Sequence, residues 1–159
     1  MSKKRESDPI CDDELLVRRV RVERFKSDRI PIVSPSAFEP RTKGDSQDVD
    51  GISLYRLDCL ESVSDALRTI SDDIKRQQTG VVAIQVLEVR SIRSMKLSVA
   101  ESYEDESKPD RIAGHVVIPE LNSSAYSADK TLIKQAMLDL ATYASASDRI
   151  LVTPPRQPP

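Results

Sequence analysis

The chain predicts an α+β domain: a mixed or antiparallel sheet of five or six strands, with two main helices over about 59–78 and 128–145 packed mainly on one face. Three observations lead there. Several short runs carry the β-branched, alternating or continuous apolar character of strands. Two longer stretches space their apolar residues by threes and fours. The helices are separated by runs of strands, whereas a doubly wound sheet needs a helix after nearly every strand.

In order along the chain, residues 1–10 read as a flexible polar arm, and a single domain spans 11–153. Leu15 to Val22 mixes aliphatic and β-branched residues and alternates apolar with basic from Val20, as a strand with one wet face does. Pro31, Pro35 and Pro40 then remove backbone donors and make 30–40 an ordered loop. The polar stretch 41–50, with Gly44, Asp45 and Asp48, has the composition of a flexible insertion. Gly51 to Leu57 alternates as a short strand.

Leu60, Val63, Leu67, Ile70 and Ile74 advance by three and four residues and predict a helix over about 59–78. Asp58 and Glu61 supply its capping box, and Gly80 its left-handed stop. Val81 to Leu87 is a continuous apolar run, suited to a strand buried on both faces in the middle of the sheet. A helical turn over 90–96 and a short strand over 97–100 follow. Five acids between residues 101 and 110 read as a hydrated loop. Ile112 to Ile118 is a strand ended by Pro119. Ser127 or Asp129 opens the second helix, whose face is built from Leu132, Ile133, Ala136, Met137, Leu140, Ala141 and Ala144. Arg149 to Thr153 adds an edge strand, and 154–159 is a Pro-rich tail.

Composition narrows function. The 24 basic and 26 acidic residues leave a net charge of -2, which disfavours charge-driven nucleic-acid or membrane binding. A polar start without an apolar core segment, and no apolar run near the ~20 residues that span a bilayer, lead to an expected cytoplasmic location. Cys11 and Cys59 lack metal-ligand spacing and read as free thiols. Phosphate-loop, dinucleotide, zinc-protease and Ser-hydrolase motifs are all missing, so neither a metal nor a cofactor is expected.

His115 is the sole histidine, and any Ser-His arrangement must use it. Its plainer role is a half-buried strand residue donating one hydrogen bond. Arg18, Arg19, Arg21 and Arg24 form a basic patch suited to an anionic ligand or an acidic partner, or else a solvated strand face paired with Glu14 and Glu23. Arg18, Ser53 and His115, on separate strands, make a candidate constellation for an enzyme acting on a nucleotide or RNA, of the ADP-ribosyl-transfer or nuclease kind. Pro154, Pro155 and Pro158 in the tail suit an aromatic groove on a partner.

Three stretches together resemble a group of small uncharacterised bacterial proteins: Leu16-Val17-Arg18-Arg19-Val20, Ser36-Ala37-Phe38-Glu39-Pro40-Arg41 with Gly51-Ile52-Ser53-Leu54, and Gly114-His115-Val116-Val117-Ile118. Similar proteins accompany variable gene modules, and the resemblance implies an accessory role. The expectation is therefore a non-catalytic interaction subunit that docks to a larger protein, with Arg19, Arg21, Phe38, Pro154, Pro155 and Pro158 as its contacts.

Overall fold

Alternating residues of β1 (Leu15–Arg21) belong to two different cores: Leu16 and Val20 are buried in one and Val17 in the other. The structure, a computed structural model, describes residues 4–26, 32–44, 47–102 and 111–154. Its sheet has six antiparallel strands: β1, β2 (Ile52–Arg56), β3 (Thr79–Gln85), β4 (Ala100–Glu101), β5 (His115–Ile118) and β6 (Ile150–Val152). They lie in the order β4-β5-β2-β1-β3-β6. The α+β class and the six strands agree with the sequence. β3 is buried on both faces as its apolar run requires, but it is the fifth strand in order, and the centre falls between β2 and β1.

Three of the four α-helices among the described residues serve the first face. They are α2 (Val86–Arg90), α3 (Ser123–Ala128) and α4 (Lys130–Ala144). Asp129 caps α4 through its side chain, which accepts from Leu132 N. Ile133, Ala136, Met137, Leu140, Ala141 and Ala144 of α4 close over Leu16, Leu54, Ile84 and Ile118. Leu132, counted with that apolar face in the sequence, is exposed.

The helix expected over 59–78 does not form. Its residues make 3-10 turns at Leu57–Cys59 and Val63–Leu67 and one short helix, α1 (Asp73–Gln77). Polar side chains restart the backbone inside the run. Asp65 Oδ2 accepts from Glu61 N and Ser62 N, and Asp72 Oδ1 accepts from Lys75 N. Arg76 then grips the Ile70 carbonyl through Nε and Nη2, at 3.0 and 2.5 Å, and holds the intervening bend. The apolar spacing still reports burial: Leu60 and Leu67 join the second core with Val63 and Ile70 packed on it, while Ile74 is exposed. Gly80 is likewise no helix stop. It lies in β3, where a Cβ would come within 2.6 Å of Val152 O and 2.8 Å of Pro154 Cδ.

Residues 4–10, expected as a flexible arm, are tied to the body of the domain. Ile10 packs on the first core, and Lys4 N donates to Asp58 O at 2.9 Å. Beneath them Arg56, fully buried, is paired with Glu14 at 2.5 Å and donates to the Glu6, Asp8 and Pro9 carbonyls. No described helix is long and apolar enough to cross a membrane.

Candidate anion-binding cleft

The cleft exists because two neighbouring strands part. β1 pairs with β3 over seven residues, from Leu15↔Gln85 to Arg21↔Thr79, but with β2 only at Leu16↔Arg56 and Val17↔Tyr55. From Arg18 onward the β1–β2 ladder has ended, and the Arg18 side chain fills the gap. Its Nε donates to Ala37 O and its Nη1 to Ser53 O, both at 2.7 Å. The guanidinium also stands 5.9 Å from the centre of the Phe38 ring. Ala37 and Phe38 are fixed by the 3-10 turn Pro35–Phe38, which Pro35 starts and the Ser34 side chain caps by accepting from Ser36 N.

Around this gap lies a cavity of about 560 Å³. Arg18, Arg19, Arg21, Arg24, Arg41 and Lys75 line it, with hydroxyls from Ser36, Ser53, Thr69 and Thr79 and a single acid, Glu39. Two of the cations have acidic partners. Arg41 pairs with Asp48 at 3.1 Å, and Arg21 lies 3.9 Å from Glu23 with both side chains exposed. Arg18, Arg19, Arg24 and Lys75 have no ion pair among the described residues; Arg19 Nη1 donates to Thr69 Oγ1 at 2.8 Å. Glu14, a sequence candidate for neutralising the patch, is committed to Arg56 instead.

Two carbonyls and a ring face stabilise the Arg18 charge less than a carboxylate does. Burial pushes its pKa down to about 10; Asp48 opposes that shift, and the neighbouring Arg41 and Arg19 charges add to it. Glu39 is held by the Tyr126 hydroxyl at 2.5 Å, and that bond, with burial, raises the tyrosine to about 12.

A second cavity of about 340 Å³ shares Arg41 and Ser53 with the first and adds His115, Ser102, Asp48 and Asp50. The proposed constellation is thus only partly assembled. Arg18 touches the backbone of Ser53, and Ser53 and His115 border one cavity. The Ser53 hydroxyl, however, has no hydrogen-bond partner among the described residues, so no base contacts it. His115 Nδ1 faces Ser102 O at 3.1 Å, and its ring lies 5.3 Å from that of Tyr55. No described cluster of His, Cys, Asp and Glu is suited to a metal ion.

Of the expected partner contacts, Arg19 and Arg21 line the cleft. Phe38 is a correction: it has no exposed surface and supports Arg18 from inside the core. Pro154 is also buried, packed toward Gly80, and is no part of a projecting tail. Pro155 and Pro158 lie outside the described residues. Arg41 and Lys75 were missed. One comes from a segment read as a flexible insertion and the other from a presumed helix surface, and no sequence spacing links either to β1. Comparison with family models, curated proteins and solved structures finds no match.

Proposed function

We propose that this protein is a non-catalytic interaction subunit, which docks to a larger protein by seating an anionic group of that partner in the β1–β2 cleft. One observation carries the reading: the half-buried Arg18 guanidinium has no counter-ion among the described residues, and three further cations without an ion pair among those residues line the same cavity. Holding like charges together costs free energy that a bound anion returns. The proposal moves docking from the Pro-rich loop and tail, where Phe38 and Pro154 are buried, to the basic cleft. A cytoplasmic setting and membership of a variable gene module, such as a defence or toxin-antitoxin system, belong to the same proposal; the polar N-terminal sequence supports the first and the sequence resemblance the second.

Site-directed crosslinking in bacterial cells tests it. A photoreactive probe attached at Arg24→Cys is expected to capture a partner, and capture is expected to fall at least several-fold when Arg19, Arg21 and Lys75 are replaced by Ser. Identical crosslinks with and without those charges overturn the reading, as does recovery of the protein solely as a free monomer.

The rival reading, an enzyme acting on a nucleotide or RNA through Arg18, Ser53 and His115, has in its favour that Ser53 borders both cavities. It requires turnover of such substrates that Ser53→Ala and His115→Ala each abolish.

A further inference from the structure

Successive residues of a strand point to opposite faces, so Arg18 belongs to the face of Leu16 and Val20, and Arg19 and Arg21 to the face of Val17. In a continuous sheet these side chains are separated by the backbone layer. Here all three line one cavity, because the β1–β2 ladder stops at Val17↔Tyr55. Lys75 reaches the same space from α1, and Arg41 from the loop before β2. The cations therefore reach this cavity from both faces of the sheet instead of lying along one of them.

Arg18 is prepared for this task. Its two carbonyl bonds use Nε and one Nη1 hydrogen and fix the guanidinium plane, which leaves the Nη2 edge without a partner among the described residues. A donor set fixed in advance loses little entropy on binding. A carboxylate offers two oxygens in a plane and is satisfied by one guanidinium fork. A phosphoryl group offers three oxygens directed tetrahedrally and a larger charge. Among the described residues that line the cleft the aromatic one, Tyr55, is buried and offers no open face to a base.

Resting on the docking reading above, we infer that the anion taken by this cleft is a phosphoryl group. Arg18 engages it from the gap between β1 and β2, with Arg19, Arg24 and Lys75 closing around it. The group is carried by a phosphorylated side chain of the partner, and a free phosphate ester as the occupant is the outcome that separates the site from docking.

Calorimetric titration of the full chain with inorganic pyrophosphate and with citrate, anions of comparable charge, is the test. Pyrophosphate is expected to bind at least about tenfold more tightly at low salt, a difference of about 1.4 kcal/mol. Arg18→Gln is expected to abolish that preference. Because it also removes two backbone contacts, the exposed pair Arg24→Ser and Lys75→Ser is made separately, with an expected loss of about tenfold and unchanged thermal unfolding. Equal affinity for citrate overturns the phosphoryl assignment and leaves anion docking standing. No binding of either anion overturns both. A phosphoserine peptide that displaces pyrophosphate, while its unphosphorylated form does not, places the group on a protein partner. Pyrophosphate binding that such peptides cannot displace keeps the phosphoryl site and overturns docking.

Discussion

Arg56 is fully buried and Arg18 half-buried at the cleft, and the difference between their partners separates a structural cation from a candidate functional one. Arg56 has a carboxylate: Glu14 accepts from its Nε and Nη2 at 2.5 and 3.1 Å, and both side chains are essentially inaccessible. Arg18 has only carbonyls. A buried pair contributes little relative to an apolar replacement, yet breaking it leaves a charge stranded. Glu14→Gln is therefore expected to cost about 3 kcal/mol, read as a lower urea midpoint, because the remaining amide cannot neutralise Arg56. A loss under about 1 kcal/mol would show that the Glu6, Asp8 and Pro9 carbonyls suffice for that guanidinium. Gly51 offers a second test at this scale. Its φ is +118°, and a Cβ there would stand 2.3 Å from Ile118 O, where β2 meets β5. Gly51→Ala is expected to destabilise the fold by about 2–3 kcal/mol, measured the same way.

At the scale of elements, strands were more legible than helices because their signal is local. Alternation through Val20 and Val22 located β1 to within a residue, and the apolar run from Val81 located a doubly buried β3. The 60–74 stripe was misleading for a definite reason. Spacing by threes and fours says which residues face a core, and Leu60, Val63, Leu67 and Ile70 do so; it does not require one helix to deliver them. Ser62, Asp65 and Asp72 hold competing backbone contacts that divide the run. Asp72→Ala is accordingly expected to cost about 1 kcal/mol by uncapping α1, with urea unfolding as the measure. It is also expected to weaken anion binding by displacing Lys75. The cleft was legible at Ser53 and at Arg18, Arg19, Arg21 and Arg24, whereas the rest of it depends on where a strand ladder ends, which no residue pattern encodes. Arg41 and Lys75 come into place through tertiary packing alone.

At the scale of the whole molecule, the N-terminal segment adds side-chain ties at one end of the β2–β5 pair, where the ladder closes at Tyr55↔His115. Glu6 receives Arg111 Nη2 at 2.6–2.7 Å and the Gly114 N–H at 2.6 Å, next to β5, while Glu14 anchors Arg56 at the end of β2. Burial by itself would raise both carboxyl pKa values. At Glu6 the Arg111 and Gly114 hydrogen bonds reverse this, and at Glu14 those from Arg56 and the Cys11 N–H do so; both groups are held below the ordinary value of 4.5. A carboxyl more acidic in the folded than in the unfolded chain adds stability above its unfolded pKa, and that stability is lost as pH falls through the folded value. The urea midpoint is thus expected to change little between neutral pH and about 5 on account of these two groups, and to fall increasingly below 4.5. Glu6→Gln combined with Glu14→Gln is expected to flatten the acid limb while lowering the neutral plateau. Since neither carboxylate lines the β1–β2 cleft, acidification is expected to loosen the segment over 4–10 before it alters anion binding. Amide exchange at Gly114 and pyrophosphate affinity, followed together from pH 6 to 4, separate the two effects; a simultaneous loss would mean that the clamp and the cleft are mechanically coupled through β2.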